Sequence, residues 1–167
     1  MKHRPITLSL VLAAATFGVA AHAGTAEVSW INPQRFADIG VSQGEDRNNM
    51  RTLANYLQVL AQRTLPRDQV LKVEVLDVDL AGTVGFSRRG SAVRVVHDRA
   101  DYPRITLRYS LADARGRVIR TAEESIVDQD FTRGIDGAHD WSDLYYEKHM
   151  LRNWFRARFG DEQRASR

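Results

Sequence analysis

Residues 70–80, with the sequence VLKVEVLDVDL, decide how the chain folds. Apolar and charged residues alternate along this stretch, but the alternation changes phase half-way. The apolar residues of the two phases are Leu71, Val73 and Val75, then Leu76, Val78 and Leu80. One extra residue near Leu76, a β-bulge, would keep both apolar sets on the core face of a sheet. The charged residues on the opposite face would then be Lys72, Glu74, Asp77 and Asp79.

The rest of the fold is predicted outward from this strand. Alternating patterns predict further strands at 27–31, 92–96, 104–111 and 117–127, and the turn at 113–116 makes the last two a hairpin. Residues 82–90 are predicted to form a glycine-containing loop. A helix is predicted over 46–65, with Ser42 or Asp46 as its cap, and a final helix begins after a cap at Asp140 or Ser142. This order predicts an α+β two-layer sandwich: a mostly antiparallel sheet of four to five strands, with two helices on one face.

The amino-terminal residues 1–23 have the pattern of an export signal. Lys2 and Arg4 precede an uncharged run over 7–20, and Ala21 and Ala23 supply the small residues that a signal peptidase recognises. The run is shorter than the ~20 apolar residues that span a bilayer, which argues against a membrane anchor. We therefore expect cleavage after Ala23, a periplasmic single domain over 24–160, and a disordered polar tail over 161–167.

Composition excludes several classes of protein. The chain of 167 residues has no cysteine, which excludes disulfides, thiolate metal sites, cysteine nucleophiles and a lipid anchor on cysteine. Loss of Lys2 and Arg4 with the signal lowers the net charge from +3 to +1. A nearly neutral exported protein is a poor candidate for binding nucleic acid, which requires a clustered positive surface. We expect no membrane span after cleavage.

Charge is strongly segregated along the chain. Residues 88–120 carry a net charge of +6, and residues 121–147 carry −7. Pairing of a basic strand beside an acidic one explains this pattern most simply. A dipolar surface that steers a charged partner is the alternative.

The charged face of the central strand is the one candidate site. Asp77 and Asp79 lie two residues apart, which places their carboxylates about 7 Å apart on one face. Such a pair could form half of a metal site or act in glycoside hydrolysis. Arg94, Arg104 and Arg108 are expected on the same open face, where they would neutralise the pair and make it a poor general acid. The polar face could still hold a small ligand or contact a partner.

No other pattern assigns chemistry. His97, His139 and His149 lack the close spacing of zinc ligands, and no phosphate-binding loop or Gly-x-Ser-x-Gly elbow is present. We assign no catalytic, metal-binding or cofactor-binding residue and expect no cofactor.

Several segments resemble one family, a proteobacterial exported domain of unknown function, number 3016 in that series. The segments are VSWINPQRFADI, LKVEVLDVDLAG, VRVV, YPRITLRYSL and DLYYEKHMLRNWF, of which DVDLAG and YEKxMLxxWF are the most specific. The resemblance covers nearly the whole mature chain. It implies an exported single-domain protein and implies no activity.

Two hypotheses follow for function. The first is a non-enzymatic periplasmic module that binds an envelope protein or a small ligand. The alternative is a hydrolase or metal-dependent enzyme that uses Asp77 and Asp79.

Overall fold

A computed structural model describes residues 24–97, 100–133 and 144–160 of the chain. The α+β class is confirmed: besides one short 3-10 helix at Pro33–Arg35, the described residues form six strands and two α-helices. In chain order they are β1 (Thr25–Trp30), α1 (Gln43–Thr64), β2 (Val70–Asp79), β3 (Thr83–Phe86), β4 (Ala92–Val95), β5 (Arg104–Ala112), β6 (Val118–Val127) and α2 (Tyr145–Phe159). The predicted signal over 1–23, the caps Asp140 and Ser142, and the tail over 161–167 lie outside the described residues.

Four strands form one sheet in the order β1-β2-β5-β6. β1 runs parallel to β2, and the other two pairings are antiparallel. The predicted bulge is present, because Val75 pairs with Leu107 and the next paired residue of β2 is Asp77, opposite Thr106. Leu76 is the extra residue and is only half-buried. The expectation that Leu76 joins the core was therefore wrong, since a bulged residue leaves the alternation of the strand.

Both helices cover the same face of this sheet, as predicted. Apolar side chains of α1 and α2 form one buried cluster with those of the strands, and this cluster extends from Ala26 to Phe159. The Tyr109 ring of β5 packs edge-on against Trp154 and Phe159, with centroids 5.8 and 5.5 Å away. α1 begins at Gln43, three residues before the predicted span 46–65, because Ser42, the first of the two predicted caps, accepts a hydrogen bond from the Glu45 N–H at 3.3 Å.

A separate two-stranded hairpin follows the central strand. β3 pairs antiparallel with β4 and neither joins the four-stranded sheet. The sequence predicted β4 but assigned β3 to a loop, because its four residues include a glycine and are too few for a clear alternation. Gly82 begins the hairpin with a φ of +82°, and a Cβ there would lie 2.7 Å from the Val95 carbonyl oxygen. The hairpin can approach the end of β2 this closely because residue 82 is glycine.

α2 begins after Leu144, which has a left-handed backbone conformation with φ 51° and ψ 45°. The residues predicted for its apolar stripe, Leu144, Leu151, Phe155 and Phe159, are all buried. Among the described residues, neither helix is long and apolar enough to cross a membrane.

Candidate functional site

A cavity of about 340 Å³ opens where α1, the end of β2, the β3–β4 hairpin and the first turn of α2 meet. Its polar lining comes from two carboxylates, two amides, one guanidinium and two phenols. The lining residues are Glu45, Asn48, Asn49, Leu80, Ala81, Arg94, Leu144, Tyr145, Tyr146 and Glu147. We refer to this space as the Glu147 cavity.

Glu147 is the most unusual residue of the cavity, because a carboxylate is rarely buried. Only 3% of its surface is exposed. Its Oε1 accepts a hydrogen bond from the Ala81 backbone N–H at 2.7 Å, a contact between residues 66 positions apart in the chain. Burial raises the pKa of Glu147 above its ordinary value, although this hydrogen bond and the charge of Arg94 act in the opposite direction.

Arg94 lies on the hairpin side of the cavity and is held in a fixed position. Its two terminal nitrogens donate to the two carboxylate oxygens of Asp38 at 2.7 and 2.9 Å, and one of them also donates to the Gly82 carbonyl at 3.2 Å. Burial by itself would lower the pKa of Arg94, but the hydrogen bonds and charge of Asp38 and the charge of Glu147 raise it. The Asp38 pair therefore offsets the only positive charge in the described lining.

The first turns of α1 form the opposite wall. Asn49 is buried, and its amide nitrogen donates to the Ile39 carbonyl at 2.8 Å. The Glu45 carboxylate accepts from the Val41 N–H at 3.2 Å. With Arg94 balanced by Asp38, the carboxylates of Glu45 and Glu147 make the cavity an environment for positive charge.

Two of the arginines in the predicted site lie on the open sheet face and are paired there. Arg104 is the cross-strand partner of Asp79 and donates a hydrogen bond to its carboxylate at 2.8 Å. Arg108 lies between Glu74 and Glu123, at 3.0 and 2.8 Å from their carboxylate oxygens. These contacts link β2, β5 and β6 across the surface.

The other two residues of the predicted site are placed differently. The Asp77 carboxylate accepts from the Ala37 N–H at 2.9 Å. Arg94 is not on the open face, because β4 pairs with β3 instead of joining the four-stranded sheet. The structure therefore pairs Asp79 with Arg104, whereas Arg94 pairs with Asp38, the residue that forms an isolated parallel bridge with Asp79, and lines the Glu147 cavity.

The contacts on the open face give the enzyme hypothesis no support. Asp79 is engaged by a guanidinium and Asp77 by a backbone N–H. Within the ranges that the structure describes, no group of three or more His, Asp or Glu side chains is arranged to hold a metal ion.

Sequence reasoning missed Glu147 and Asp38 as members of a site. A signal for Glu147 was present, because it lies three residues after Leu144 and four before Leu151, on the apolar stripe of the helix. Asp38 had no comparable signal, since its partner Arg94 is 56 residues away in the chain.

The two segments that carry the most specific part of the resemblance meet at this cavity. Ala81 lies in DVDLAG, Glu147 lies in YEKxMLxxWF, and their hydrogen bond joins the two segments. Residues 24–157 match the family described as "Protein of unknown function (DUF3016)". The chain belongs to the DUF3016 family. No curated protein and no solved structure matched this DUF3016 chain.

Proposed function

We propose that this DUF3016 chain is a periplasmic binding module that holds a small ligand with a cationic group, such as an amine, in the Glu147 cavity. The observation that carries this proposal is a carboxylate only 3% exposed in the wall of a cavity of about 340 Å³. Burial of a carboxylate costs free energy unless a partner compensates it. A ligand cation would supply that compensation.

The charges around the cavity favour a cation over an anion. Arg94 is the one guanidinium in the described lining, and Asp38 already accepts from both of its terminal nitrogens. Glu45 and Glu147 have no arginine or lysine partner within salt-bridge distance among the described residues. An anionic ligand would therefore meet two carboxylates that are not paired with a cation, whereas an amine could pair with either of them.

The remaining lining indicates a ligand with an apolar part. Leu80, Ala81 and Leu144 are buried at the cavity, and Tyr145 and Tyr146 add aromatic surface. Ligand sites in proteins combine such apolar walls with a few polar groups, in volumes of about 300–1,000 Å³. The cavity, at about 340 Å³, is at the small end of that range and suits a small ligand.

A binding experiment with matched probes tests this function. We expect phenethylamine to bind by isothermal titration calorimetry, and its neutral isostere 2-phenylethanol to bind at least tenfold more weakly. Glu147→Gln keeps the size of the side chain and removes its charge, so it should abolish the preference for the amine. Glu74→Gln, on the open face, is the matched control and should keep it. Equal binding of amine and alcohol, or of neither, would contradict the proposal.

The periplasmic part of the proposal has separate support. The pattern of residues 1–23 is that of a cleaved signal, and the family match begins at residue 24, directly after the expected cleavage site. When the full chain is produced in a Gram-negative host, intact-mass measurement should find a protein that begins at Gly24 in the periplasmic fraction. Replacing Ala23 with Asp should block this processing. Recovery of an uncleaved chain from the cytoplasm would contradict it.

A further inference from the structure

The hairpin of β3 and β4 carries four of the nine exposed large apolar side chains among the described residues. Four of its side chains are exposed: Val84, Val93 and Val95 at 39% each, and Phe86 at 79%. A large aromatic side chain this exposed is uncommon on the surface of a monomeric protein, and clusters of such residues mark interaction surfaces. A two-stranded sheet is also only marginally stable by itself.

The apolar side chains lie on both faces of the hairpin. Val84 pairs with Arg94 and Phe86 with Ala92, which places these residues on one face. Val93 and Val95 are opposite Gly85 and Thr83 on the other face. A flat protein surface would cover one face and leave the other in water. An apolar medium that surrounds the end of the hairpin would cover both.

The tip of the hairpin is positively charged. Arg88 and Arg89 lie in the turn between the strands and are exposed. Neither makes an ion pair with any residue that the structure describes. Residues 83–97 contain no Asp or Glu, so the charge of the tip is not balanced within the hairpin. An anionic surface complements this tip.

The base of the hairpin is fixed to the body of the protein. Arg94 binds Asp38, and the Gly82 N–H donates to the Asp101 carbonyl at 2.9 Å. Phe86, Arg88 and Arg89 are therefore presented together at the end of an anchored projection.

We propose that the tip of the hairpin inserts into the interfacial region of an anionic lipid bilayer, with Phe86 among the acyl chains and Arg88 and Arg89 against the lipid phosphates. Apolar insertion and attraction to anionic headgroups act together in this mode of binding. It requires no membrane-spanning segment. A protein partner is the competing occupant, and it is less consistent with apolar residues on both faces.

Vesicle co-sedimentation of the chain 24–167, which contains every described element, tests the proposal. We expect binding to vesicles of phosphatidylglycerol and phosphatidylethanolamine, weaker binding at high salt, and none to phosphatidylcholine vesicles. Replacing both Arg88 and Arg89 with serine should weaken binding roughly 30-fold, since each basic residue at such a surface contributes about a factor of five. Phe86→Ser should weaken it at least tenfold.

Matched controls come from the other hairpin. Arg115→Ser changes an exposed arginine in the turn between β5 and β6, and Ile119→Ser changes an apolar side chain that is 49% exposed on β6. Both variants should bind vesicles as the unchanged chain does. Two results would overturn the proposal: equal binding to neutral and anionic vesicles, or hairpin variants that bind like these controls. Absence of vesicle binding together with a dimer that Phe86→Ser dissociates would also overturn it, and would assign the hairpin to a protein interface.

Discussion

Ionisation of Glu147 costs the folded chain free energy, because its carboxylate is almost completely removed from water. The hydrogen bond from Ala81 and the charge of Arg94 reduce this cost, but the pKa of Glu147 still lies above its ordinary value of about 4.5. Between these two pKa values the folded state binds more protons than the unfolded state. The contribution of Glu147 to stability is therefore complete below pH 4.5 and decreases as pH rises through the folded pKa.

Glu147→Gln should remove this pH dependence. Urea unfolding from pH 4.5 upward should show that the free energy of unfolding of the unchanged chain falls relative to that of the variant. Glu74→Gln is the control, since Glu74 is exposed and paired with Arg108. A constant difference across the series would contradict the raised pKa. Glu147→Ala should lower stability by about 1–3 kcal/mol at pH 4.5, because it leaves the Ala81 N–H without its acceptor, and this loss should shrink as pH rises.

Two other glycines allow the role of Gly82 to be measured. Gly82, Gly116 and Gly90 all have positive φ, at +82°, +75° and +79°, but only at Gly82 would a Cβ meet neighbouring atoms closer than 3 Å. Alanine at Gly116 or Gly90 should cost about 1–2 kcal/mol from the left-handed backbone alone. Gly82→Ala should cost clearly more, because the contact with the Val95 carbonyl must also be relieved. If urea unfolding shows that all three alanine variants lose the same free energy of unfolding, the Val95 carbonyl can move away from residue 82 at no cost.

Among the elements, β2 is the one whose details the sequence predicted best. The change of phase around Leu76 located the bulge, and the charged residues after it lie on the expected face. β3 could not be predicted in the same way, since its four residues owe their strand conformation to pairing with β4. The Glu147 cavity was also out of reach, because contacts between segments as distant as Ala81 and Glu147 create it.

The bulge predicts which deletions β2 tolerates. Without Leu76, residues 70–80 would alternate without interruption, and Val75 and Asp77 would keep their partners Leu107 and Thr106. The variant that lacks Leu76 should therefore unfold cooperatively in urea. Deletion of Val73 is the matched control. It should abolish the cooperative transition, because the buried apolar side chains on one side of the deletion would then point to the solvent face of the sheet. Loss of cooperativity in both variants would mean that the extra residue itself is required.

On the scale of the whole molecule, part of the segregated charge is paired within the four-stranded sheet. Arg108 of the basic segment pairs with Glu123 of the acidic one across β5 and β6. Glu124, also in the acidic segment, accepts from Arg158 at 2.9 Å and from the Trp154 ring nitrogen at 3.1 Å. These contacts favour ion pairs between neighbouring strands and helices, and not a dipole that steers a partner, as the explanation of the charge segregation along the chain. Arg88 and Arg89, also in the basic segment, make no ion pair with the residues that the structure describes.

The single core that joins both helices to the sheet predicts how the chain responds to truncation. A chain that ends at Gly160 keeps every described element and should have the urea midpoint of the full chain from Gly24. A chain that ends at Asn153 loses Trp154, Phe155 and Phe159, which are 7%, 1% and 0% exposed. Loss of one such aromatic side chain typically costs about 3–5 kcal/mol, so the three together cost about 9–15 kcal/mol, which is comparable to the whole stability of most domains, about 5–15 kcal/mol. This shorter chain should show no cooperative transition by circular dichroism. A lower midpoint for the chain ending at Gly160 would place residues 161–167 in the folded domain and contradict the predicted boundary.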